Sequence, residues 1–165
     1  MKRILFLVLI SVFACHAAWG GVREGFSLGI QGNLMAMNDV FPRTAELSFK
    51  LPKLPAIFGL CFPFQKKYWI YWQKKVPTTI ALRFDWWLCQ TTIVRRLGFY
   101  FGVGIGSSIN FKTFSRSKLG LRVPIGFQLF VFKPVEVFLE VSPMVIFILE
   151  PDLDFLGAIG VRFWL

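Results

Sequence analysis

Eight ionisable side chains stand alone inside apolar segments, each flanked on both sides by a hydrophobic residue. They are Glu46, Lys50, Arg83, Asp85, Arg122, Glu136, Glu140 and Arg162. Four are acidic and four basic, so the set sums to zero. Paired carboxylates could serve glycoside hydrolysis as general acid and base. The arginines argue for a different chemistry. A planar guanidinium binds carboxylates bidentately, and an unpaired charge in a narrow interior costs several kcal/mol. The spacing therefore predicts a ladder in which the three arginines interleave with Asp85, Glu136 and Glu140. Such a ladder would plug a lumen and fix its register; a gated ion path is the functional alternative.

Other chemistry is scarce. His16 is the only histidine, and it falls in an N-terminal segment read below as removed on export. The mature chain then lacks the histidine base on which outer-membrane lipases, proteases and acyl-transfer enzymes usually rely. Cys61 and Cys89 have no CxxC partner and no histidine, so no metal site is expected. They could form a disulfide, which an exported compartment permits, or stand as small inward-facing side chains. Gly102-Val-Gly-Ile-Gly106 superficially suggests a phosphate loop, but it alternates as a strand and no helix or lysine follows. Neither an enzyme nor a cofactor is expected.

One further segment has a distinctive chemistry. Lys66-Lys67-Tyr68-Trp69 and Trp72-Gln73-Lys74-Lys75 set two lysine pairs around a Tyr/Trp cluster. Aromatic girdles with snorkelling lysines occur at membrane interfaces. The sharper reading is an exposed basic-aromatic patch for a polyanion or host ligand, extended by Lys112, Arg116 and Lys118. Nucleic acid is a poor partner for an exported protein despite the charge.

The elements that must position these residues follow from composition. The 165-residue chain is 55% hydrophobic and 18% aromatic but only 17% charged, with a formal charge of +10. Its mean hydropathy is +0.59. That suggests a membrane protein, yet a spanning helix needs about 20 apolar residues in a row. Only residues 4–22 approach this, and they follow Lys2 and Arg3 and end in Ala17, Ala18, Gly20 and Gly21. This is the pattern of a secretory signal peptide, 1–20, ahead of a domain at 21–165. Lipoprotein processing at Cys15 is the alternative. In lipid the remaining spanning structure is a closed β-barrel.

The mature chain reads as eight strands of period two: about 23–33, 44–51, 56–64, 78–89, 98–109, 119–130, 135–145 and 155–165. The parity places all eight ionisable residues, and nine glycines, on one face. Phe, Leu, Ile and Val fill the other. A glycine-lined face suits a narrow lumen holding long charged side chains rather than the apolar core of a soluble lipocalin-like barrel. The link at 90–97 is long for a periplasmic turn, and Pro124 and Pro143 mark candidate bulges. The expected fold is an all-β, eight-stranded antiparallel up-and-down transmembrane barrel with long outer loops.

Several segments carry a family resemblance: Glu46-Leu-Ser-Phe-Lys-Leu-Pro52, Phe84-Asp-Trp-Trp-Leu88, Leu97-Gly-Phe-Tyr-Phe-Gly-Val-Gly104, Leu121-Arg-Val-Pro-Ile-Gly-Phe127, Phe138-Leu-Glu140 and Gly160-Val-Arg-Phe-Trp-Leu165. The chain resembles a family of small spirochaetal outer-membrane β-barrels of undefined function, similar in architecture to the eight-stranded OmpA and OmpW barrels. The resemblance implies outer-membrane location and assembly by the barrel-insertion machinery, with lipid as surroundings. It implies no catalytic residues. A structural or surface-interaction role is expected, with OmpW-like passage of small hydrophobic solutes as the alternative. The excess charge is expected on the two rims: Arg43, Lys66, Lys67, Lys74, Lys75, Lys112, Arg116 and Lys118 against Asp39, Glu150, Asp152 and Asp154 outside, and Arg23, Lys53, Arg95, Arg96 and Lys133 against Glu24 on the periplasmic side.

Overall fold

The computed structural model describes residues 24–36, 44–63, 79–112, 117–148 and 151–165. The signal segment with Cys15 and His16, and the patch residues Lys66, Lys67, Tyr68, Trp69, Trp72, Lys74 and Lys75, lie outside the described residues. Among the described residues no helix is long and apolar enough to cross a membrane.

Among the described residues, nine strands form one antiparallel sheet: β1 (Ser27–Ala36), β2 (Thr44–Lys50), β3 (Ala56–Pro63), β4 (Thr79–Val94), β5 (Leu97–Asn110), β6 (Lys118–Arg122), β7 (Ile125–Phe132), β8 (Val135–Ile146) and β9 (Asp152–Trp164). Consecutive strands pair, except β6 with β7, and β9 pairs with β1, so the sheet closes on itself. β6 and β7 are two halves of one wall strand, because both pair with β5 on one side and β8 on the other. The ring is therefore eight strands around, as the period-two pattern predicts.

Pro124 explains the split. Gly102 donates its N–H to the Pro124 carbonyl at 2.9 Å, and Val123 donates to the Pro143 carbonyl at 3.0 Å. The reciprocal bonds would need N–H groups that proline lacks. The expected bulges at Pro124 and Pro143 are absent, since the register on either side of the break is the same. The register shifts fall instead at Asn33/Met35, Trp87/Cys89, Thr92/Val94 and Phe130/Phe132. The shift after Trp87 corrects the expected long link at 90–97. It turns both Cys89 and Gln90 inward, which hides the alternation, while β4 runs on to Val94 and turns at Arg95-Arg96.

The stagger of the ring can be read from its pairings. Leu97 pairs with Leu129, then Val137, Val161, Ile30, Leu47, Leu60, Leu82 and finally Ser107, ten positions further along the starting strand. Eight strands with that shear tilt by about 40° and give a Cα radius of roughly 8 Å. A bore this narrow is filled by its own side chains. At that tilt an apolar band of about 25 Å needs about ten residues per strand. β5, β8 and β9 exceed this.

The two faces differ as the parity requires. Leu28, Ile30, Leu47, Phe127, Leu139, Ile159 and Val161 are exposed on the outside. Phe49 stacks on Phe58 at 5.1 Å, and Phe58 meets Phe84 edge-on at 5.2 Å, forming an aromatic row across three neighbouring strands. The inner glycines make room for large partners from adjacent strands. A Cβ at Gly160 would stand 2.5 Å from Phe138 Cζ and 2.6 Å from Gln31 Cβ.

Candidate functional site: the charged lumen

The site lies on the inward residues of β2, β4, β5, β6 and β8. Arg83 and Asp85 point inward from β4 as alternate residues, and the ring stagger brings Glu46, Arg122 and Glu140 to their level. Arg83 is the hub. Its Nη2 lies 2.6 Å from Glu46 Oε1, its Nε lies 3.0 Å from Asp85 Oδ2, and its Nη1 lies 3.3 Å from Glu140 Oε1. Arg122 Nε lies 3.3 Å from Asp85 Oδ1, and its Nη2 pairs with Glu140 and donates to Ser142 Oγ at 2.5 Å. All five ionisable side chains are buried.

Neutral donors reach two of these carboxylates, Glu140 and Glu46. Tyr100 donates its hydroxyl to Glu140 Oε2 at 2.8 Å, and Ser142 donates to Glu140 Oε1 at 3.0 Å. Gln31 Nε2 and Cys61 Sγ donate to Glu46 Oε2 at 3.1 and 3.3 Å. Multiple donors are what allow charges to persist away from water. Toward the loop end a cavity of about 30 Å³ is bounded by Asn33, Thr44, Glu46, Cys61, Arg83 and Arg122. It has room for about two water molecules.

A second group lies nearer the short turns. Arg162 Nη1 lies 2.6 Å from Glu136 Oε1, and Trp164 Nε1 donates to Glu136 Oε2 at 2.7 Å. The Arg162 guanidinium sits 4.5 Å from the Phe138 ring centre and 5.1 Å from that of Trp87. Trp87 in turn stacks on Tyr100 at 4.9 Å. Guanidinium groups over aromatic faces are favoured electrostatically. With Ile57, these rings form the packed apolar cluster of the bore.

The predicted pairs of Arg83, Arg122 and Arg162 with Asp85, Glu140 and Glu136 are thus present, in two groups rather than one ladder. Three placements differ from the expected ones. Lys50 is buried at the turn end and apart from the carboxylates; its Nζ donates to the Leu51 carbonyl at 3.5 Å and lies 5.6 Å from the Trp164 ring centre. Glu46, to which no partner was assigned, pairs with Arg83. Asp154, expected on the outer rim, is fully buried on the inner face of β9, because that strand begins at Asp152. Lys118, expected in an outer loop, is likewise half-buried at the start of β6, with the inward parity of Gly120 and Arg122 and opposite the buried Ser108, so the described lining holds five carboxylates against five cations.

Tyr100, Trp87, Gln31, Phe138 and Ser142 share the inward parity and were legible in facing, though not as partners. Cys61 and Cys89 are both buried thiols outside any disulfide. Cys61 pairs in register with Ala81, which puts it far up the wall from Cys89, so the disulfide alternative does not hold. Among the described residues no cluster of three or more His, Cys, Asp or Glu could hold a metal ion.

No protein-family model matches the chain, and no curated protein sequence matches it. Among solved structures, the chain is similar to the crystal structure of Neisserial surface protein A, at 12% identity and a TM-score of 0.49. The match covers 88% of this chain and 99% of that one. The eight-stranded ring stands on its own strand pairing.

Proposed function

We propose that the chain is an integral outer-membrane β-barrel whose lumen is closed by its own side chains, with a structural or surface-interaction role. The observation that carries this reading is the inversion of the usual burial pattern. Large hydrophobic residues cover the outside, while Glu46, Asp85, Glu136, Glu140, Arg83, Arg122 and Arg162 are buried inside. In water such an outer face would be an extended exposed apolar patch. In lipid it is the stable arrangement, because a closed ring satisfies its backbone internally. The resemblance to spirochaetal outer-membrane barrels belongs to this reading and rests on the sequence segments given above. It also supplies export, assembly by the barrel-insertion machinery and placement of the longer connections outside.

Support for a closed lumen comes from the Arg83–Arg122 group across the middle and the aromatic cluster around Arg162 below it. Refolded protein is expected to migrate faster on a gel unheated than heated, and to give no stable high-conductance channels in planar bilayers. A soluble monomer without the gel shift would overturn the membrane reading. Stable large currents would overturn the closed lumen alone.

A surface role adds a partner at the outer loops. Lys66, Lys67, Lys74 and Lys75, beside Tyr68, Trp69 and Trp72, have the composition of a polyanion-binding patch. Replacing the four lysines together is expected to abolish retention on heparin, and unchanged retention would remove this part of the proposal.

A further inference from the structure

The turn end carries a feature that the closed lumen does not explain. Lys53, Arg95, Arg96 and Lys133 are exposed on the turns after β2, β4 and β7. Glu24 is the exposed carboxylate described at that mouth. Directly beside these cations the wall ends in exposed apolar side chains: Leu54, Ile93, Val94, Leu97 and Phe132. A cationic band bordering an apolar band matches the step from acyl chains to phosphates at a bilayer surface.

The backbone gives an independent sign. Lys53 has φ of 64° and Arg95 has φ of 43°. This left-handed region suits glycine or asparagine and strains other side chains. The chain uses 14 glycines, yet both of these positions hold a long cation. Strain retained where a relieving residue is available points to function. Arg96 is also positioned rather than loose, since its Nη1 donates to the Val131 carbonyl at 3.0 Å and ties the turn after β4 to the end of β7.

We propose that this mouth is a collar for the phosphate headgroups of anionic phospholipids in the leaflet it touches. The inference rests on the membrane reading and deepens it by naming the partner at one rim. Long side chains at the turn tips reach outward to phosphates, while Ile93, Val94, Leu97 and Phe132 enter the acyl region.

The test uses the whole mature chain refolded into phosphatidylcholine vesicles. A minor fraction of brominated phosphatidylglycerol, or of brominated phosphatidylcholine in the parallel arm, quenches tryptophan fluorescence. The unsubstituted protein is expected to be quenched preferentially by the phosphatidylglycerol. The preference is expected to fall about fivefold for each cation removed in Lys53→Gly and Arg95→Gly, in line with the contribution of one basic residue at an anionic surface. Both variants relieve the backbone strain, so their unfolding in pure phosphatidylcholine is expected to be unchanged or harder. Lys53→Asn and Arg95→Asn, which also tolerate the turn geometry, are expected to behave alike.

An undiminished preference in these variants would overturn the collar. So would a preference abolished by excess inorganic phosphate, which would mark a site for the free anion. A chain without the gel shift in any vesicle would instead bring down the membrane reading, and the collar with it.

Discussion

Replacing Arg83 with methionine is expected to lower the unfolding free energy of the refolded barrel by about 3–5 kcal/mol, the range for breaking a buried ion pair by removing one partner. Arg83 reaches Glu46, Asp85 and Glu140 with three different nitrogens. Its loss leaves three buried carboxylates to Arg122, which touches two of them. Glu46 would keep only neutral donors from Gln31, Asn33 and Cys61. Lysine at position 83 should rescue part of the effect, because one ammonium carries the charge but cannot spread a fork across three acceptors. Arg162→Met should cost less. Its single carboxylate, Glu136, retains the Trp164 indole donor, and its site is already lined by aromatic rings. Urea titration scored by the heat-dependent gel shift measures all three. An Arg83→Met barrel within about 1 kcal/mol of the parent would show that the central group is not what secures the wall.

The second large effect is steric. Gly126 faces Tyr100 across the β5–β7 pair, and a Cβ there would lie 2.5 Å from Tyr100 Oη and 2.6 Å from its Cε1. Tyr100 cannot swing aside easily. It is fully buried, stacked on Trp87 and hydrogen-bonded to Glu140. Gly126→Ala is therefore expected to destabilise by about 3 kcal/mol, the upper part of the overpacking range, since displacing the ring also disturbs a buried carboxylate. Tyr100→Leu alone should cost a similar amount by removing the hydroxyl donor and the stacked ring. The double variant should cost clearly less than the two added together, because the clash and the ring are lost at once. Strict additivity would refute the close approach.

These two sites show what the sequence makes legible. Alternation alone assigns Arg83, Asp85, Tyr100, Arg122, Gly126 and Glu140 to one face, because every residue of a strand obeys the same parity. It does not say which of them meet. Partner choice is set by the ten-residue stagger of the closed ring, a global property that no single segment contains. The stagger carries Glu46 to Arg83 and leaves Lys50 at the turn end. Parity also fails where the backbone itself departs from period two. The shift after Trp87 turns Cys89 and Gln90 to the same side, so β4 reads as a strand followed by a long link. Pro124 has the opposite character. It reads as an irregularity, yet it removes a hydrogen bond without moving the register. Asp154 reads as loop for a simpler reason: it stands directly before Phe155, where the apolar pattern begins, whereas β9 starts at Asp152 and buries it.

The position of Asp154 has a consequence for the bore as a whole. Toward the longer loops the described lining holds Glu46, Asp85, Glu140 and Asp154 against three cations, Arg83, Arg122 and Lys118. Toward the short turns it holds Lys50 and Arg162 against Glu136 alone. The interior is a fixed dipole along the barrel axis, negative at one mouth and positive at the other. Shortening the central side chains until water could pass would not yield a symmetric pore. Cations would be drawn in at the loop mouth and anions at the turn mouth, so the opened barrel would rectify. The sign of that rectification would report which way round the barrel sits in a bilayer.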